Sequence, residues 1–388
     1  MKRCLFLQRR DRNYYPDIEA ALRENGVEPI ARIIETDADY HRTLGERDAI
    51  GADFLFTHPC LSPALTLLAR EWDLPAIQWE VDKNLNPAFL RQVQYGPNDI
   101  ILTTYTEDIA KFRAVGARCH YVLNAANVRP DGYPQAQAEP QYGVSFIGSV
   151  EAGENNYYRR TLEGIAAQRD AMNDQLRRLF EILQQQFQRV LDQQHALTLQ
   201  GRYDAPAILH DVMAHTDGLL QIFNMDPDSA LMLLNKEIAY LQREQMLKSL
   251  PQLDAFGPED WGDLDWPNVR YHGPAPQYER SGEIFAASRI NLSLARIYAR
   301  DGLSDRIFNV LYAGGFLLAD RQPPLLEAFA EGTHFIGYDS AEEMVEKAAW
   351  YSAHDAQRRR IAQAGRAEVH RAHTFSARIK QILELTGV

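Results

Sequence analysis

Cysteine is nearly missing from this 388-residue sequence: Cys4, Cys60 and Cys119 are widely spaced and odd in number. That pattern builds neither a disulfide framework nor a zinc motif, and fits small buried hydrophobes in a reducing compartment. Long apolar runs are missing too. None approaches the roughly 18 residues of a membrane span, and the opening "MKRCLFLQRRDRNYY" returns to charge too soon for the apolar region of a signal peptide. A cytoplasmic, soluble protein is expected, one able to sit at the membrane periphery. Positive charge is in deficit, with 41 Lys+Arg against 53 Asp+Glu and a net charge of −12. That argues against nucleic acid as a partner, since duplex binding wants a basic footprint. Neither G-x-G-x-x-G nor G-x-x-x-x-G-K-[ST] occurs, which argues against a conventional NAD dehydrogenase and excludes a P-loop nucleotidase. No repeat of solenoid period is visible.

What is present is a globular composition, 45% hydrophobic and 24% charged, in a chain long enough for two domains. Residues 1–130 alternate short apolar runs ("RCLFL", "EPIARIIE", "ADFLFTH", "PAIQWEVD", "NDIILTTY", "CHYVLNAA") with helical patterns such as 15–26 and "SPALTLLAREW". This rhythm predicts a parallel sheet covered on both faces. "RPDGYPQAQAEPQ" has no hydrophobic period, so 131–141 reads as a linker. A second βα domain covers 142–370, with a helical insertion over about 160–245 and a closing helix in 371–388. Leu176, Leu179, Phe180, Leu183, Phe187, Val190 and Leu191 follow helical spacing. That stripe packs on its own domain or offers a face for a homodimer. The fold class is α/β, with two Rossmann-like doubly wound domains facing a cleft.

Anionic ligands bind such folds at strand carboxyl ends and helix N-termini. In the second half, several strand ends carry small or polar residues: Gly148 and Ser149 with Arg159 and Arg160 behind them; Gly257; His272 and Gly273; and Asn291, Ser293 and Arg296. "DGLSDRIFNVLYAGGFLLAD" (301–320) adds a helix start. There Ser304 or Asp305 can cap, Arg306 falls in the first turn and Asn309 about a turn inside. With Asp301 and Gly302 this makes a diphosphate-binding corner, to which guanidinium geometry is suited.

These residues, with "EGTHFIGYDSAEEM" and the closing "HTFSARIKQIL", resemble the C-terminal half of group 1 glycosyltransferases, in particular the CgeB-like (spore-maturation-type) branch. The resemblance is good over 250–382 and loose over 52–130. It implies a GT-B fold with a nucleotide-sugar donor held by the C-terminal domain, an acceptor against the N-terminal one, and no metal or cofactor. It places Arg306 on donor phosphate. Asn309 takes the position of a glutamate that commonly holds the ribose, and Asp301 that of one contacting the donor sugar. For an inverting reaction, a base at an N-domain strand end is required, and His58 and Asp82 are the candidates. A retaining reaction might dispense with one. The acceptor is a glycan, a lipid-linked glycan, a protein or a metabolite. A non-catalytic sugar-nucleotide-binding protein and another GT-B enzyme, such as an epimerase or phosphorylase, stand as alternatives. A phosphorylase would want a cofactor lysine, and lysine is scarce in 250–330.

Overall fold

The computed structural model describes the chain except for residues 11–14, 59–60, 84–89, 91, 127–138, 217, 263 and 277–279. Most of the 131–141 linker therefore lies outside the described residues. Two six-stranded sheets form, parallel throughout. The first has the order β2-β1-β3-β4-β5-β6. Its strands are β1 (Lys2–Gln8), β2 (Val27–Ile33), β3 (Phe54–Thr57), β4 (Ala76–Glu80), β5 (Asp99–Thr103) and β6 (Arg118–Tyr121). The second runs β12-β11-β10-β7-β8-β9. It is built from β7 (Tyr142–Ile147), β8 (Leu253–Phe256), β9 (Val269–Tyr271), β10 (Ser288–Ser293), β11 (Leu317–Asp320) and β12 (Ile336–Tyr338).

The strands β3, β4 and β5 are buried at every residue, as helices on both faces of a parallel sheet require. That is why they read as unbroken apolar runs and not as alternating ones. Two short helices, Asp37–Gly45 and Arg47–Ile50, lie in a polar stretch without strong apolar period. The first forms because Thr36 and Asp39 make a reciprocal capping box.

The helical insertion folds onto itself. Helix Asp174–Thr198 buries Phe180, Leu183, Phe187, Val190 and Leu191 against helices Ala205–Met213 and Pro227–Lys248. The stripe that offered a dimer face is thus occupied within its own domain. The chain then crosses back at its end. Helix Phe375–Thr386 puts Phe375, Ile379 and Ile382 into the core of the first sheet, beside Phe6, Phe56 and Trp79. Among the described residues, no helix is long and apolar enough to cross a membrane.

Candidate active site

In the second sheet, β7 lies next to β10, and the chain leaves β7 toward β8 on one side and later builds β10, β11 and β12 on the other. That reversal of strand order is a crevice at the strand carboxyl ends, the usual ligand position in open α/β sheets. Directly behind β10, helix Asp305–Tyr312 starts at an N-cap, Ser304, whose Oγ accepts from Arg306 N at 3.3 Å. The first turn of this helix therefore faces the crevice with free backbone N–H groups and the positive end of its dipole.

Arg306 lies across the end of β7. Its guanidinium sits 5.4 Å from the centroid of the Phe146 ring. A Cβ on residue 148 would come within 2.9 Å of Arg306 Nη2, and Gly148 has φ +154; glycine is required here on both counts. Among the described residues, no hydrogen bond or ion pair holds the guanidinium group. Burial pulls its pKa down from the usual arginine range, Asp305 opposes that, and Arg296 adds to it. A desolvated cation without a carboxylate in contact is costly unless an anion comes to it.

More positive charge stands beside it, organised by one carboxylate. Glu151 is buried in a left-handed conformation, φ 62. It binds Arg296 (Nε at 2.8 Å), Arg243 (Nη1 at 3.1 Å) and Lys236 (Nζ at 3.0 Å). Burial opposes ionisation of Glu151, yet Arg296, Arg243 and Lys236 together draw its pKa down to about 2. Desolvation, and then Arg296, bring Arg243 down to about 10. Four cations thus surround one carboxylate, in a protein whose net charge is −12. The cavity between them, ≈ 90 Å³, is lined by Tyr105, Ser149, Arg243, Ser293, Arg296 and Ser304 among others. It is far below the several hundred Å³ that a drug-sized ligand fills, so the anionic end of a larger ligand is what fits there.

The N-terminal domain closes one side. The ring of Tyr105, just past β5, lies against Gly302, where an added Cβ would come within 2.4 Å of it. Asp301 accepts from Glu107 N at 2.9 Å and forms an ion pair with Lys83. Leu303 O accepts from Asn124 Nδ2 at 3.2 Å. The loop 301–303 is therefore the seam between domains. Asp301, expected at the donor sugar, is used as an interdomain clasp, because Lys83 arrives from a part of the chain that sequence spacing cannot place beside it.

Of the other expected donor residues, Gly148, Ser149, Ser293, Gly302, Ser304 and Arg306 converge on the cavity. Asp305 opens the helix and accepts from Ser304 Oγ at 3.2 Å. The rest are placed differently. Arg160 is on the surface with Glu154 at 3.1 Å. His272 stacks on Phe256 (4.8 Å, 14°) and contacts Asp254 at 2.7 Å beside the edge strand β9. Gly273 turns the chain there with φ +87. Gly257 is needed for packing, because a Cβ would lie 2.4 Å from Gly148 O. Asn291 is held inside the sheet, donating to Phe285 O at 3.0 Å and accepting from Ser145 Oγ at 3.2 Å. Asn309 is buried in the helix interior.

The two proposed bases also separate. His58 is buried in the N-terminal core, its ring 4.3 Å from that of Trp79 and 5.9 Å from that of Phe375. Asp82 is exposed just past β4, its backbone N–H donating to Glu80 Oε1 at 2.9 Å. The charge of Asp82 acts on both Tyr105 and Tyr298, which brings it near the rim of the cavity. Lys236, Arg243 and Glu151 went unnoticed in the sequence. Two lie on a helix that reads as solvated charge, and the third depends on a left-handed turn.

The comparisons follow this geometry. Residues 242–384 match the glycosyl transferase-like family. This stretch is a glycosyl transferase-like domain. No curated protein matches the chain in sequence. Among solved structures, HepE of Anabaena in complex with UDP and glucose is similar over 100% of both chains, at 9% identity and a TM-score of 0.53. The β-glucosyltransferase (BGT) of phage T4 with UDP-glucose is similar over 99% of each, at 8% identity and 0.53. Sucrose-phosphate synthase of Thermosynechococcus elongatus is similar over 100% of this chain and 98% of its own, at 8% identity and 0.51. The fold is thus GT-B. Within the glycosyl transferase-like domain lie Arg243, Arg296 and Arg306, three of the four clustered cations.

Proposed function

We propose that the protein transfers a glycosyl group from a nucleoside-diphosphate sugar to an acceptor hydroxyl. The observation that carries this reading is Arg306, a desolvated guanidinium without a partner among the described residues, set at the strand reversal with Lys236, Arg243 and Arg296 around it. In the transfer, the bond from the sugar's anomeric carbon to phosphate oxygen breaks and a bond to the acceptor oxygen forms. Negative charge then grows on the leaving diphosphate, where fixed cations and helix N–H groups stabilise it most. Those groups take the part that a metal ion plays elsewhere. In an inverting transfer, Asp82 receives the acceptor's proton. In a retaining one, the leaving phosphate can take it. HepE and the phage enzyme hold UDP or UDP-glucose in their structures, which makes uridine diphosphate the first donor to try. The assignment to the CgeB-like branch rests on the sequence resemblance alone, and the acceptor is a glycan, a lipid-linked glycan, a protein or a metabolite.

Calorimetric titration with UDP and UDP-glucose tests the reading, followed by mass spectrometry of candidate acceptors mixed with UDP-glucose. Saturable binding of a nucleoside diphosphate with sugar transfer is expected. Binding without transfer to any acceptor or to water would favour a sugar-nucleotide-binding protein. If no nucleoside diphosphate binds, the reading fails.

A further inference from the structure

A second cavity, ≈ 240 Å³, lies beyond the 294–300 loop from the cation cluster. The ends of β10, β11 and β12 form one side (Leu294, Asp320, Tyr338), and the helical insertion forms the other (Leu199, Gln242, Met246). The described residues that line it all belong to the C-terminal half, so it is not part of the interdomain seam.

Asp320 decides what fits there. It is 5% exposed. Its Oδ1 accepts from Ala295 N at 2.9 Å and from Gln322 Nε2 at 3.3 Å. Its Oδ2 is fully buried and has no hydrogen-bond partner among the described residues. Arg300 Nε stands 3.9 Å from it. That is near enough to balance charge and too far to donate a hydrogen bond. The other Arg300 nitrogens are directed to Gly201 O and Arg321 O. Its polar neighbours are already engaged. Tyr338 donates its hydroxyl to Ser293 O at 2.8 Å. Gln242 donates to Ala295 O and accepts from Ile297 N. A buried carboxylate oxygen left unmatched is costly, and with Arg300 close by, what it lacks is a neutral donor and not another cation. Leu199, Leu294 and Met246 offer apolar surface opposite, as the C–H face of a sugar ring requires. The volume suits one ring and not a nucleotide.

We infer that this cavity is a second, saccharide-binding site, which takes a single pyranose through a ring hydroxyl donated to Asp320 Oδ2. It is separate from the cation cluster and does not depend on the donor assignment made there. The test uses the full chain, with D-glucose, D-galactose and D-mannose as probes in ligand-observed saturation-transfer NMR. At least one of the three is expected to give signal with the wild type and with Arg306→Ala. In Asp320→Asn, which keeps an acceptor for Ala295 N, its apparent affinity is expected to fall at least tenfold. Met246→Trp, which fills the cavity from its apolar wall, should abolish the signal, and serves if the Asp320 variant does not fold. Three results would overturn the inference. No signal from any of the three sugars with the wild type would mean that water alone serves Oδ2. Signal unchanged in both cavity variants would place the sugar elsewhere. Signal abolished by UDP, or lost in Arg306→Ala, would assign it to the donor site. Failure of UDP to bind would sink the donor reading and leave this one standing.

Discussion

Replacing Arg306 by alanine removes a guanidinium that meets a phenyl ring and no described acceptor. If a donor diphosphate lies on it, the variant loses a charge-assisted contact of about 1.5–3 kcal/mol. That is roughly a ten- to 150-fold rise in the Kd for UDP. Stability should respond quite differently. The lost cation–π contact is worth about 0.5–2 kcal/mol. Against it, the variant no longer desolvates a cation whose ionised form is further disfavoured by Arg296. These effects offset, so unfolding free energy is expected to change by no more than about 1 kcal/mol, the scale of the terms that cancel. Arg306→Lys should recover part of the affinity, because charge returns without the planar fork. Calorimetry with UDP and a thermal melt without it read both quantities on one preparation. An unchanged Kd in a folded Arg306→Ala protein would remove Arg306 from the donor site. A stability loss of several kcal/mol would show that the side chain is a structural strut and refute the reasoning.

Glu151→Gln should have the opposite character. It leaves Lys236, Arg243 and Arg296 without their shared anion, and breaking a buried ion pair from one side costs about 3–5 kcal/mol, to be read from denaturant midpoints. Gly302→Ala drives a Cβ within 2.4 Å of the Tyr105 ring and 2.5 Å of Thr104 O; small-angle scattering should report separated domains, and an unchanged profile would count against a tight seam. Glu80 is buried, and desolvation holds its pKa up to about 7 from the usual 4.5, with Asp82 adding to the rise against three backbone N–H donors. The folded chain therefore keeps a proton that the unfolded chain releases, and stability falls as pH rises from 4.5 to 7. At about 1.4 kcal/mol per unit, this group accounts for up to roughly 3 kcal/mol over that window. The difference in pH slope between wild type and Glu80→Gln in urea unfolding measures it; identical slopes would contradict the shift.

The architecture was legible because strands of a parallel sheet are short apolar runs spaced by helices, and every strand of both sheets falls in a stretch of that kind. The helix at 305 was legible as well, since Ser304 caps it by a local rule. The switch point gave itself away less directly, through Gly148 and Ser293 at strand ends. Hidden from the sequence was whatever depends on neighbours far along the chain. Arg159 and Arg160 are adjacent, yet Arg159 turns inward to Glu237 while Arg160 stays on the surface. His272 looks like Ser293 in being polar at a strand end, but β9 is an edge strand away from the reversal. Lys236 and Arg243 reach the site only because the insertion folds back over it. Lys83 reaches Asp301 only because the two domains meet.

The helix Phe375–Thr386 has a consequence for how the protein is made. The first sheet is the earliest part of the chain to be synthesised, and domains generally begin to fold in that order. Three side chains of its core, Phe375, Ile379 and Ile382, belong to the last stretch to emerge. Until translation ends, the N-terminal domain is an open shell, with the space against Trp79 and Val122 left for them exposed to other nascent chains. A ribosome stalled a few residues short of the stop codon would therefore strand the domain it finished long before.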